Sequence, residues 1–121
     1  MLIADGEPAQ FIALVNEDAE WWDLFRETGL AVVSILGHGQ GWVSEVFART
    51  EPSPGGVFRT GQWASGSHGP RLEGAAAWAG VRLLDAEPQR AGWGLLVRAE
   101  AEWIEIADGV AALEHRGGRY V

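Results

Sequence analysis

The chain has no cysteine, and none of its nine basic residues is lysine: every one is arginine. Without a thiol there is no cysteine nucleophile, no disulfide and no cysteine-based metal site; without an amine side chain there is no Schiff-base chemistry. The formal charge of −8 would be repelled by phosphate backbones and by anionic membrane surfaces, which argues against non-specific binding to either. No apolar run is long enough to span a bilayer, and residues 1–7 lack the basic and long apolar regions of a signal peptide. A soluble cytoplasmic protein is the expectation. Catalytic motifs are also scarce. No G-x-S-x-G surrounds a serine, and the three histidines, His38, His68 and His115, lack the i, i+4 or close loop spacing of a metal site.

What the chain has in plenty is tryptophan, seven in 121 residues. Each indole is a large apolar surface with one N–H to satisfy, suited to a core, a subunit interface or the side of a planar ligand. The length fits one domain with a single core, near the size at which dimerisation often adds stability.

Residues 30–36 are a nearly continuous apolar run rich in β-branched side chains, which reads as a strand buried on both faces. Beyond Gly37, Gly39 and Gly41 the period changes: Trp42, Val43, Val46 and Phe47 fall at helical spacing and predict a helix over residues 40–49. Gly37-x-Gly39 between strand and helix imitates the start of a dinucleotide fingerprint. Its third glycine would fall on Trp42, where an indole blocks close helix–strand packing, so a flexible connection is the better reading.

Upstream, residues 5–8 read as a turn and residues 10–15 as a strand. Asn16 to Asp18 offer caps for a helix over residues 18–28 with Trp21, Leu24, Phe25 and Thr28 on its apolar face, ended by Gly29. Downstream, residues 51–56 are loop-like, residues 57–59 and 62–64 are short extended pieces, and residues 65–70 are irregular. Alternation from residue 75 to 84 and again from 95 to 103 predicts two strands, with a bulge at Trp103-Ile104 where the apolar phase reverses. Asp108-Gly109 turns the chain, and residues 113–121 hold a last extended segment around Gly117-Gly118. The order strand, helix, strand, helix, then successive strands predicts a mainly β protein, an antiparallel barrel with helices at its mouth or side.

Several segments, taken in order, resemble the flavin reductase-like, FMN-binding split-barrel family along nearly the whole chain. Residues 5–8 look like its Ser-x-x-Pro-Pro turn, and Leu14-Val15-Asn16 with the following helix looks like its strand and phosphate-loop helix. Residues 29–36 are similar to its "G-x-F-x-V-N-x-L" strand, with Gln40 and Val46-Phe47-Ala48 in the helix behind it. Gly69-Pro70-Arg71-Leu72-x-Gly74-Ala75 with Ala77-Trp78 resembles "G-x-P-x-L-x-G-A-x-x-W"; Gly92 falls near the "G-D-H" turn, and Gly118-Arg119-Tyr120 resembles the terminal "G-x-Y".

The resemblance implies an antiparallel Greek-key split β-barrel, assembled as a homodimer that holds FMN at its interface and takes hydride from NAD(P)H, with most of the chemistry supplied by the cofactor. It places the flavin phosphate near Asn16, Asp18, Ala19, Glu20 and Trp21, and it sets Trp93, Arg119 and Tyr120 near the dimer cleft. The sequence departs from the family pattern in three places. Glu17-Asp18-Ala19-Glu20 replaces a Ser/Thr cluster, so helix N-terminal amides would act against three carboxylates. Trp93 stands where the family has histidine. The chain starts after the family's "T-x-S-S" motif, an absence expected to leave barrel surface for a second copy to cover. Two functions follow: an NAD(P)H-dependent flavin oxidoreductase, or a split-barrel dimer with weak or no flavin binding and a structural or ligand-binding role.

Overall fold

The computed structural model describes residues 1–47 and 62–121, and these form two compact units, Met1–Val32 with Ala79–Trp103, and Val33–Trp78 with Ile104–Val121. The elements are β1 (Leu2–Ala4), β2 (Gln10–Val15), α1 (Glu20–Thr28), β3 (Leu30–Ile35), α2 (Gly41–Phe47), β4 (Trp63–Ala64), β5 (Arg71–Leu72), β6 (Ala77–Leu83), β7 (Arg90–Ala91), β8 (Gly94–Ile106), β9 (His115–Arg116) and β10 (Arg119–Tyr120). The largest sheet has the order β1-β2-β8-β6-β3, with β7 added on β8. It is antiparallel where its pairing is defined by register, and backbone bonds from Leu83 to Gly29 and from Ala76 to Ile35 set β6 antiparallel to β3 as well. The chain passes between the units within β3 and β8 and within β6, without a linker.

In the first unit, β2 pairs with β8 in the register Phe11↔Ala99, Ala13↔Val97 and Val15↔Leu95. Phe11, Val15, Val97 and Ala99 are buried, while Leu14 on the intervening phase is exposed, as strand alternation requires. Helix α1 buries Trp22 and Phe25, whose rings meet edge to face with centroids 6.2 Å apart. The sequence pattern assigned Trp21 and Leu24 to the buried face, but they are exposed. In the Trp21-Trp22 doublet either indole satisfies helical spacing, and packing of the i, i+3 pair Trp22 and Phe25 decides. The helix also starts two residues later than residue 18. Asn16 Oδ1 accepts the Asp18 amide at 2.9 Å and Asn16 O accepts the Ala19 amide at 3.1 Å, so these residues form a turn of their own and leave Ala19 as the N-cap, without a side-chain cap. Gly29 ends α1 at φ +74°, its amide bonded to Phe25 O, as expected.

In the second unit, Val43 and Val46 of α2 are buried with Leu72, Ala75 and Ala76. The loop before α2 is tied down by Gln40, which accepts the Gly37 amide at 2.9 Å and donates to Glu73 O at 3.0 Å. Gly37 also pairs with Ala112, and a β-carbon there would stand 2.5 Å from Gly74 O. The glycine is therefore required by close backbone approach and not by a ligand. Trp63↔Leu72 and Ala64↔Arg71 pair β4 with β5. The β9–β10 hairpin turns on Gly117 and Gly118, both at positive φ.

One further expectation is corrected. Residues 30–35 are half-buried throughout rather than buried on both faces, because β3 ends the sheet order among the described residues and has β6 alone beside it there. Ile104, Glu105 and Ile106 at the end of β8 are all exposed, and the bonds from Leu84 N to Arg98 O and from Ala107 N to Ala76 O, offset by one residue between β6 and β8, agree with a bulge in this strand. Helix α2 starts at Gly41; its expected continuation to residue 49, with Ala48, and the expected loop and extended piece over residues 51–59 lie outside the described residues.

Candidate functional site

The β2–α1 turn carries Asn16, Glu17, Asp18, Ala19, Glu20 and Trp21 at the end of a strand and the start of a helix. The amides of Asp18 and Ala19 are taken by Asn16 and that of Trp22 by Ala19 O, while those of Glu20 and Trp21 lie at the start of the helix. The β7–β8 hairpin reaches the same place, since Leu95 pairs both with Val15 of β2 and with Arg90 of β7. Arg90 Nη2 donates to Glu17 Oε2 at 2.8 Å. Hydrogen bonding to that guanidinium, reinforced by its charge, holds the Glu17 carboxyl below the ordinary carboxylate range. One of the three carboxylates of the turn is thus matched by a cation. Sequence reasoning missed this pair, whose members stand 73 residues apart with no local motif to join them. Trp93 sits at the hairpin tip after Gly92, which has φ +58°, and is 99% exposed. Trp21 contacts the aromatic cluster of α1, 6.4 Å from Trp22 and 6.2 Å from Phe25 between ring centroids, yet half of it stays exposed. The structure therefore brings Asn16, Asp18, Ala19, Glu20, Trp21 and Trp93 to one edge of the first unit.

Arg119 and Tyr120 belong to the second unit. Tyr120 donates its hydroxyl to Glu45 Oε1 at 2.6 Å, and this bond, outweighing one from Ser44, raises the phenol above its usual range. Its ring lies on Gly41, where a β-carbon would stand 2.8 Å from the ring carbons, and packs 5.1 Å from the His115 ring. A cavity of about 440 Å³ opens here, lined by His38, Trp42, Glu45, Leu113 and Tyr120 around the glycine loop. Arg119 is exposed in β10 opposite Arg116. Among the described residues no group of three His, Cys, Asp or Glu side chains is placed to hold a metal ion. Likewise, no described helix is long and apolar enough to cross a membrane.

The mostly antiparallel β architecture with two helices agrees with the split-barrel class, its main sheet running from β1 to β3. Residues 3–121 match the flavin reductase like domain family, and the chain belongs to it. Solved structures agree. The flavin reductase component of a bacterial two-component tryptophan halogenase, BorF, superposes with a TM-score of 0.81 at 25% identity, over 99% of this chain and 76% of that one. The Streptomyces globisporus C-1027 NADH:FAD oxidoreductase SgcE6 gives 0.80 at 21% identity, over 98% of this chain and 72% of that one. A Sinorhizobium meliloti 1021 protein gives 0.81 at 19% identity, over 98% of this chain, which spans only 40% of that longer protein. No curated protein matches in sequence.

Proposed function

We propose that this chain works as an NAD(P)H:flavin oxidoreductase of the flavin reductase type, with FMN as its flavin. The family match over residues 3–121 carries the reading. The chemistry at the β2–α1 turn supports it: Arg90 and the first-turn amides of α1 supply the positive field a phosphate needs, although Glu17, Asp18 and Glu20 oppose it. In this reading the turn residues Asn16, Asp18, Ala19, Glu20 and Trp21 receive the flavin phosphate. Trp93 offers an aromatic face, and Arg119 and Tyr120 offer a cation and a ring in the second unit. Bound flavin supplies the site that accepts hydride; the protein binds and orients it and keeps water away.

The reading includes a homodimer. Leu2, 69% exposed, and Leu14, 68% exposed, stand on the outward face of the sheet where Leu2 pairs with Ile12 and Leu14 with Leu96, an apolar surface suited to burial against a second copy. It also places the protein in the cytoplasm, where reduced nicotinamide nucleotides are supplied.

FMN titration followed by flavin absorbance and fluorescence tests the reading, together with oxidation of NADH or NADPH in the presence of FMN. Saturable binding and flavin-dependent turnover are expected. The Glu17→Ser/Glu20→Ser double variant should bind FMN more tightly, and unchanged affinity would reject the phosphate position. Light scattering at low micromolar concentration should give twice the chain mass.

A further inference from the structure

The β2–α1 turn is poor in the groups that hold a phosphate. Residues 16–21 contain no hydroxyl side chain. The amides of Asp18 and Ala19 are spent inside the turn, on Asn16 Oδ1 at 2.9 Å and on Asn16 O at 3.1 Å, and that of Trp22 goes to Ala19 O. This leaves the amides of Glu20 and Trp21 at the helix start for a ligand. Charge is set against a phosphate as well. Glu17, Asp18 and Glu20 bring carboxylates, and the guanidinium that answers them, Arg90, already donates from Nη2 to Glu17 Oε2 at 2.8 Å. Among the described residues no ion pair joins a cation to Asp18 or Glu20, and Arg26 of α1 is paired with Asp23.

A phosphate dianion that arrives here gains little by either route open to it. If Arg90 keeps Glu17, the phosphate faces a guanidinium whose charge is already met. If Arg90 turns to the phosphate, the Glu17 carboxylate is left without its cation beside a new anion. A flavin whose side chain ends in a hydroxyl disturbs neither group, because it brings no charge and its hydroxyl can donate to a carboxylate. We infer that Glu17 stands in for the flavin phosphate at Arg90, so that the site takes riboflavin, the flavin without a phosphate, about as tightly as FMN. The inference rests on the flavin site proposed above and names a further flavin that this site accepts.

Fluorescence titration of the purified chain with riboflavin and with FMN, in one phosphate-free buffer of low ionic strength, tests it. Riboflavin should bind no more than about five-fold more weakly than FMN, a comparison that needs no variant. Glu17→Gln frees Arg90 and removes a negative charge, so FMN should tighten about ten-fold, as a charge-assisted bond to phosphate forms without a competitor. Riboflavin should change by less than about two-fold in the same variant, since it brings no charge for Arg90 to meet. A larger wild-type preference for FMN would overturn the inference and leave the proposed function standing. So would a Glu17→Gln variant that shifts both flavins alike, or neither. Binding of neither flavin by the wild type would reject the proposed function, and the inference with it.

Discussion

The indole of Trp103 in β8 lies against the backbone of Gly80 in β6, in the space that a β-carbon at residue 80 would occupy. The nearest indole atom is Nε1, so the glycine is the recess into which a large side chain packs. Gly80→Ala should therefore destabilise the protein by about 1–3 kcal/mol through overpacking, read as a lower urea midpoint at unchanged slope. Combining it with Trp103→Leu should cost less than the sum of the two single changes, because the second removes the clash that the first creates.

Helix α1 gives a contrast between adjacent tryptophans. Trp22 is 1% exposed and Trp21 is 51% exposed. Trp22→Ala should cost about 3–5 kcal/mol and leave a large fraction unfolded, while Trp21→Ala should change stability by about 1 kcal/mol or less. Parallel urea titrations of the two variants decide the matter, and comparable losses would mean the buried face of the helix is wrongly assigned.

Tyr120 is the only tyrosine, so ultraviolet titration reads it alone. Its hydrogen bond to Glu45 raises the folded-state value, so its contribution to stability is fully present below the ordinary tyrosine value of about 10 and is lost as pH rises through the higher folded value. The phenol should ionise above that ordinary value in the wild type. Glu45→Gln should move it back down, since the neutral amide no longer opposes a phenolate.

The Glu17–Arg90 pair acts in the other direction. Because the folded value of Glu17 is lowered, its contribution is present above the ordinary glutamate value of about 4.3 and is lost as pH falls through the folded value. Carboxyl-carbon NMR should show Glu17 titrating low. Arg90→Gln should return it to the ordinary range and, under the proposed function, weaken FMN binding.

Much of this architecture is written in local signals. The apolar run of residues 11–15 and the turn residue Gly29 place β2 and the end of α1 as observed. Gly117-Gly118 marks the last hairpin. What escaped was decided by distant contacts. Strand β1 is three residues long and is held by pairing with β2, so nothing in its own sequence sets it apart. The face of α1 depended on which of two adjacent indoles found the core. At the candidate site the turn at Asn16 and a turn at Gly92-Trp93 agree with the family pattern. The cation at the Asn16 turn was not legible, since Arg90 arrives from a hairpin far along the chain and only the pairing of Val15 with Leu95 brings it there.

Strand β8 extends over 13 residues and lies between β2 and β6, whereas β4–β5 and β9–β10 are ladders of two residues each. Deuterium labelling of the native protein should turn that difference of length into a difference of time. Amides in the middle of β8 and in β2 and β6 open only when much of the sheet opens, while those of the short ladders open by local fraying. The C-terminal hairpin that holds Tyr120 should therefore take up label early, long before the strands that bury Val97 and Ala99.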